Sequence, residues 1–141
     1  MPSAFRRFSQ KLLADGFLAR GLSSGFGYKT GVSVGGTVTQ ATNRTTGVTL
    51  NKLSGAITTS NASLAAEATA DFVVTNDKVA IGDVVVVSVR SGSNGGGTIV
   101  SVAAVAAGSF TIRVHNGNVA AGTAETGAII INFVVIKGTS N

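Results

Sequence analysis

The side chains able to do chemistry are few and scattered. The chain of 141 residues has one histidine, one tyrosine, six carboxylates and no cysteine. Without thiols there is no thiolate metal site, no cysteine nucleophile and no disulfide framework. His115 stands alone beside Arg113, and a zinc site needs further Cys, His or clustered carboxylate ligands. Its alternation pattern reads as an exposed strand position. Asp71, Asp77 and Asp83 recur at a spacing of six, but they lack the dense Asp/Asn cluster of a calcium loop. Two strand-end turns explain them as well. The run Ser91-Gly92-Ser93-Asn94-Gly95-Gly96-Gly97 lacks the Gly-Lys-Ser/Thr ending of a phosphate loop and reads as a mobile hairpin loop. Asn43-Arg44-Thr45 and Asn61-Ala62-Ser63 match the glycosylation sequon, which matters only in a secreted eukaryotic protein. The expectation is a protein with no enzymatic activity, no cofactor and no metal.

The elements that would position such residues are strands. From about residue 34 onward Val, Ile and Thr dominate, and Gly, Asn and Ser interrupt them at short intervals. That pattern predicts an all-β sandwich or barrel. Eight strands are expected, at 34–40, 46–51, 55–59, 68–75, 83–90, 97–103, 109–115 and 128–137. In Ser109–His115, Phe110, Ile112 and Val114 alternate with polar residues, so one side faces water. Val84–Val89 and Ala128–Lys137 are apolar on both sides, which predicts central strands or strands under a subunit contact. Ile130, Asn132, Val134 and Ile136 form the second side of the last strand and are the expected oligomer interface or core. Asn132 among them hints that this side is partly wet, because a buried amide needs partners. Ala62–Ala68 could form a helical turn, and Ala103–Gly108 a strand end or turn.

Charge divides the chain in two. Residues 1–30 carry Arg6, Arg7, Lys11, Arg20 and Lys29 against Asp15 alone, four of the five net positive charges. The sequence pI of about 10.3 therefore belongs to an arm and marks no basic nucleic-acid face on the body. In that arm Phe5, Phe8, Leu12 and Leu13 share one side of a helical wheel, and Arg6, Arg7 and Lys11 fall elsewhere. A helix of about twelve residues is marginal in water, so the arm is expected to order on a partner. No stretch approaches the roughly 18 apolar residues of a membrane span. Residues 1–31 read as an amphipathic arm with a glycine-rich hinge, and residues 32–141 as the β-domain.

Several segments of the body resemble a group of small tailed-bacteriophage virion proteins. They are Gly35–Gln40, Thr46–Lys52, Gly55–Thr58, Phe72 with Thr75-Asn76, Asp83–Val87, Ala107–Phe110 and Ile131–Lys137, within residues 32–138. The resemblance implies a jelly-roll-like β-sandwich, often trimeric, displayed on the capsid surface and made in the host bacterial cytoplasm. It also implies a capsid decoration or cement protein bound to the major capsid protein or another virion protein, with no nucleic acid or membrane as partner. A head-fibre, tail or host-adhesion module is the alternative, followed by a small binding module unrelated to phage. The arm lies outside the shared pattern; its residues Phe5, Arg6, Arg7, Phe8, Lys11, Leu12 and Leu13 are the expected partner-binding set.

Overall fold

A computed structural model describes Tyr28, residues 32–120 and residues 122–138. The arm residues Phe5 to Leu13 lie outside the described residues. The body is all-β, with eight strands: β1 Thr37–Thr39, β2 Val48–Thr49, β3 Ser54–Thr58, β4 Thr69–Thr75, β5 Val84–Ser91, β6 Thr98–Ala106, β7 Ser109–Asn116 and β8 Ile130–Ile136. Each expected strand is present within a few residues of its expected bounds.

The strands form two four-stranded sheets. Sheet A has the order β1-β3-β8-β5, and sheet B has the order β2-β4-β7-β6. The chain changes sheet at every connection except the β6–β7 hairpin. β1 runs parallel to β3, and β2 runs parallel to β4. The remaining pairs are antiparallel, so both sheets are mixed, whereas a jelly roll built of hairpins would be antiparallel throughout.

Alternation along the strands builds the core. Phe110, Ile112 and Val114 of β7 and Ala70, Phe72 and Val74 of β4 point inward from sheet B. Ile131, Phe133 and Val135 of β8, with Ile57 and Val85, meet them from sheet A. Phe110 and Phe133 touch across the layers, ring centroids 5.3 Å apart and tilted by 52°. A tilted aromatic contact of this kind adds to the plain burial of the two rings.

Several local expectations change. β8 is central in sheet A, but β5, equally apolar on both sides, is an edge strand. Hydrophobicity alone cannot separate a strand buried on two sides from one with an open apolar side. Ile130, Asn132, Val134 and Ile136 lie on the outer side of β8 and not in the core. Asn132 is exposed, opposite Ser88 and Ala56, in keeping with the partly wet side that its amide hints at. Ala62–Ala68 is not helical: Ala68 donates to the Ala65 carbonyl across a tight turn in which Glu67 has φ 60°. The alanine run stays in β6 as far as Ala106, and Gly108 (φ 79°) closes the two-residue turn to β7. At the start of the body, Leu53 donates to the Ser33 carbonyl and Ala56 to the Gly36 carbonyl, so residues 33–36 are laid along β3.

Candidate interaction surfaces

The two ends of the sandwich are built differently. At one end four connections converge: 40–47, 59–68, 92–97 and 117–129. Arg44 and Glu125 tie them together, and both are buried, Glu125 with 0% exposure. The Arg44 guanidinium donates to the carbonyls of Ala62 (2.6 Å), Glu125 (3.1 Å) and Gly127 (2.8 Å) and to Thr59 Oγ1 (3.2 Å). The Glu125 carboxylate accepts from Ser93 Oγ (2.6 Å), Asn94 N (3.1 Å), Gly95 N (3.0 Å), Gly127 N (2.7 Å) and Thr98 Oγ1. Burial pushes this carboxyl up, but the donors from Ser93, Thr98, Gly127 and Asn94 outweigh burial and hold it at about 2. The glycine-rich run is therefore no mobile hairpin loop. It carries the chain from sheet A to sheet B and is clamped onto one carboxylate. Gly127 is required here, since a Cβ would lie 1.9 Å from the Gly92 carbonyl oxygen.

At the opposite end the chain enters and leaves the body. Tyr28 donates its phenol hydrogen bond to the Val135 carbonyl, beyond the start of β3. Burial and the nearby Asp83 carboxylate push the phenol pKa up. Asp83 is itself buried and accepts from Ala80 N, Gly138 N and Lys137 Nζ. Burial raises its pKa, and these donors more than reverse that.

Three surfaces are open between the ends. The outer side of sheet B holds Asp71 bridging Arg113 bidentately at 2.9 and 2.7 Å and Thr69 Oγ1 3.1 Å from His115 Nδ1, with Val73 and Ile99 exposed among them. The outer side of sheet A mixes apolar and small polar side chains, with exposed Arg90 on its edge strand β5. It carries the cross-strand pairs Val84–Ile136, Val86–Val134 and Ser88–Asn132, with Val84, Val86 and Ile136 exposed to 56%, 47% and 49%. The third surface is the flank where β5 and β6 run side by side as the last strands of their sheets. The far flank ends in strands of three and two residues, whereas β5 and β6 have eight and nine. β6 bears no charge, and the inward valines Val87, Val100, Val102 and Val105 stay partly open there. A long uncharged edge such as β6 invites pairing with another chain.

Asp71, Asp77 and Asp83 do not converge. Asp71 pairs with Arg113, Asp77 with Lys78 (3.1 Å), and Asp83 with Lys137. Among the described residues no three His, Cys, Asp or Glu side chains are grouped to hold a metal, and no helix is long and apolar enough to cross a membrane. His115 lies on the outer side of sheet B, as its alternation suggests. Arg44 and Glu125 are the residues that sequence reasoning misses. The partners of Glu125 in the glycine-rich loop are about thirty residues away in the chain, and no periodicity links them.

The chain matches no protein-family model, no curated protein and no solved structure.

Proposed function

We propose that this chain is a structural virion protein of the capsid decoration, or cement, type. The observation that carries the reading is the polarity of the sandwich: the arm joins the body at the Tyr28–Val135 end, and the loops clamped by Arg44 and Glu125 stand at the other. An attached end and a rigid displayed end are what a surface module needs. The arm, through Phe5, Arg6, Arg7, Phe8, Lys11, Leu12 and Leu13, docks on the major capsid protein or another virion protein. The β-domain associates with copies of itself, as a homotrimer, along the β5–β6 flank. The protein is made in the bacterial cytoplasm and carried on the capsid surface.

The test mixes undecorated particles with full-length protein and with a chain lacking residues 2–15. Full-length protein should decorate the shell, and the shortened chain should fold and self-associate but stay in solution. Equal decoration by both would move attachment to the body. Binding confined to the tail would favour the head-fibre, tail or adhesion reading.

A further inference from the structure

Two asparagines, Asn94 and Asn116, are followed by glycine. At such a step a chain most readily modifies itself, because no side chain hinders the glycine nitrogen from reaching the carboxamide before it. The glycine nitrogen bonds to the asparagine Cγ, and the Cγ–Nδ2 bond breaks. The glycine N–H proton leaves with the amide nitrogen as ammonia, and a cyclic imide closes. Water then opens the imide to aspartate, or to isoaspartate, whose main chain runs through the former side chain. The ring nitrogen stays planar, and Cγ stands where its hydrogen stood. Cyclisation therefore needs the glycine N–H to point at the preceding carboxamide.

Neither glycine is so placed. The Gly95 N–H points at Glu125 Oε2, 3.0 Å away, and the Gly117 N–H at the Gly97 carbonyl, also 3.0 Å away. The carboxamides are held as well. Asn94 Oδ1 accepts from Thr126 N (2.9 Å) and Gly127 N (3.1 Å), and its Nδ2 donates to Thr126 Oγ1 (2.7 Å). Asn116 Nδ2 donates to the carbonyls of Leu64, Ala65 and Thr123 at 3.0, 3.2 and 2.8 Å. Asn116 is fully buried, whereas Asn94 is exposed. At Asn94 water is at hand, and the hydrogen bonds alone oppose the reaction.

We infer that Asn94-Gly95 is a latent self-modification site, which the Glu125 side chain keeps shut by turning the Gly95 N–H away from the Asn94 carboxamide. The Glu125 carboxyl, held at about 2, is too weak a base to take the Gly95 proton. It restrains the nucleophile without activating it. The Gly127 N–H is shared between Asn94 Oδ1 and Glu125 Oε1, at 3.1 and 2.7 Å. Aspartate or isoaspartate at position 94 would therefore set a second negative charge beside the first. One modification would loosen the very clamp that had prevented it. The inference stands whether or not the protein is part of a virion.

The test follows aspartate and isoaspartate by peptide mapping while the full-length chain is incubated in mildly alkaline buffer. Free peptides of residues 91–98 and 113–120 give the unrestrained rates. Both steps should react in the folded chain more slowly than in their peptides by about tenfold or more. Glu125→Gln lifts the restraint at one of them. Its NH2 fits on the side of the Ser93 and Thr98 hydroxyls, which can turn to accept, but the Gly95 N–H on that side cannot. Modification at Asn94 should then rise about tenfold or more over the unaltered chain. Modification at Asn116, whose bonds do not involve the Glu125 side chain, should not change. Equal rates for Asn94 in the unaltered folded chain and in its peptide overturn the inference, and that comparison does not depend on the variant. In the variant, a rise at both asparagines assigns the sparing to overall stability, and no rise at Asn94 assigns it to something other than Glu125; either result also overturns it.

Discussion

Arg44 holds the main-chain carbonyl of Glu125 at 3.1 Å, while the Glu125 side chain turns the other way, to the loop at 93–98. Two buried opposite charges thus work without a direct salt bridge. Each satisfies a different set of backbone groups, and together they join four connections at one end of the sandwich. Glu125→Gln should destabilise the fold by about 2–4 kcal/mol, since an amide cannot accept from donors arranged around both oxygens and its NH2 would face them. Arg44→Lys should cost a similar amount, because one ammonium cannot reach four acceptors laid out for a planar fork. Urea unfolding of the two variants checks both values.

The Glu125 carboxyl has its pKa lowered from 4.5 to about 2. The unfolded chain therefore binds this proton more readily than the folded one. The stabilisation is fully present above about pH 4.5 and is lost as the pH falls through about 2, amounting to about 3 kcal/mol. The expected outcome is a steep loss of stability below pH 4.5, much reduced in Glu125→Gln. Thermal melts of both proteins between pH 2 and 7 provide the measurement.

Gly127→Ala should be among the most damaging single-methyl additions. Its Cβ would sit 1.9 Å from the Gly92 oxygen, so backbone must move, at a cost of roughly 1–3 kcal/mol or more. Gly108→Ala meets no atom within 4 Å but must hold φ near 79°, and about 1 kcal/mol is expected. Denaturation midpoints of the two variants should rank in that order.

A charge on the β6 edge tests self-association. Ala104→Lys lies on an exposed position of that strand and should change stability by no more than about 0.5 kcal/mol. It should nonetheless shift native mass spectra from oligomer to monomer, because an edge lysine obstructs strand pairing. An unchanged oligomer would place the contact elsewhere.

The outer side of sheet B should tolerate change. Asp71 and Arg113 are both substantially exposed, and an exposed ion pair contributes about 0–1 kcal/mol. Asp71→Asn should cost less than about 1 kcal/mol and lose part of any effect in high salt. His115→Ala, removing the contact to Thr69, should stay within about 0.5 kcal/mol. Both are read from chemical denaturation at low and high ionic strength.

Local sequence determined the strands. In β7, Phe110, Ile112 and Val114 alternate with polar neighbours, and this period of two makes both the strand and its buried side legible. Tertiary structure alone decided which strands lie at edges. β5 and β8 are almost equally apolar, yet β8 sits between two neighbours and β5 has one, because pairing is a relation between distant segments and leaves no mark in either alone. The same holds for the glycine-rich loop, whose composition suggests mobility until Glu125 is seen to fill its centre. Composition carries the freedom of a segment, but the hydrogen bonds that remove that freedom come from residues about thirty positions away, brought within 3 Å only by the fold.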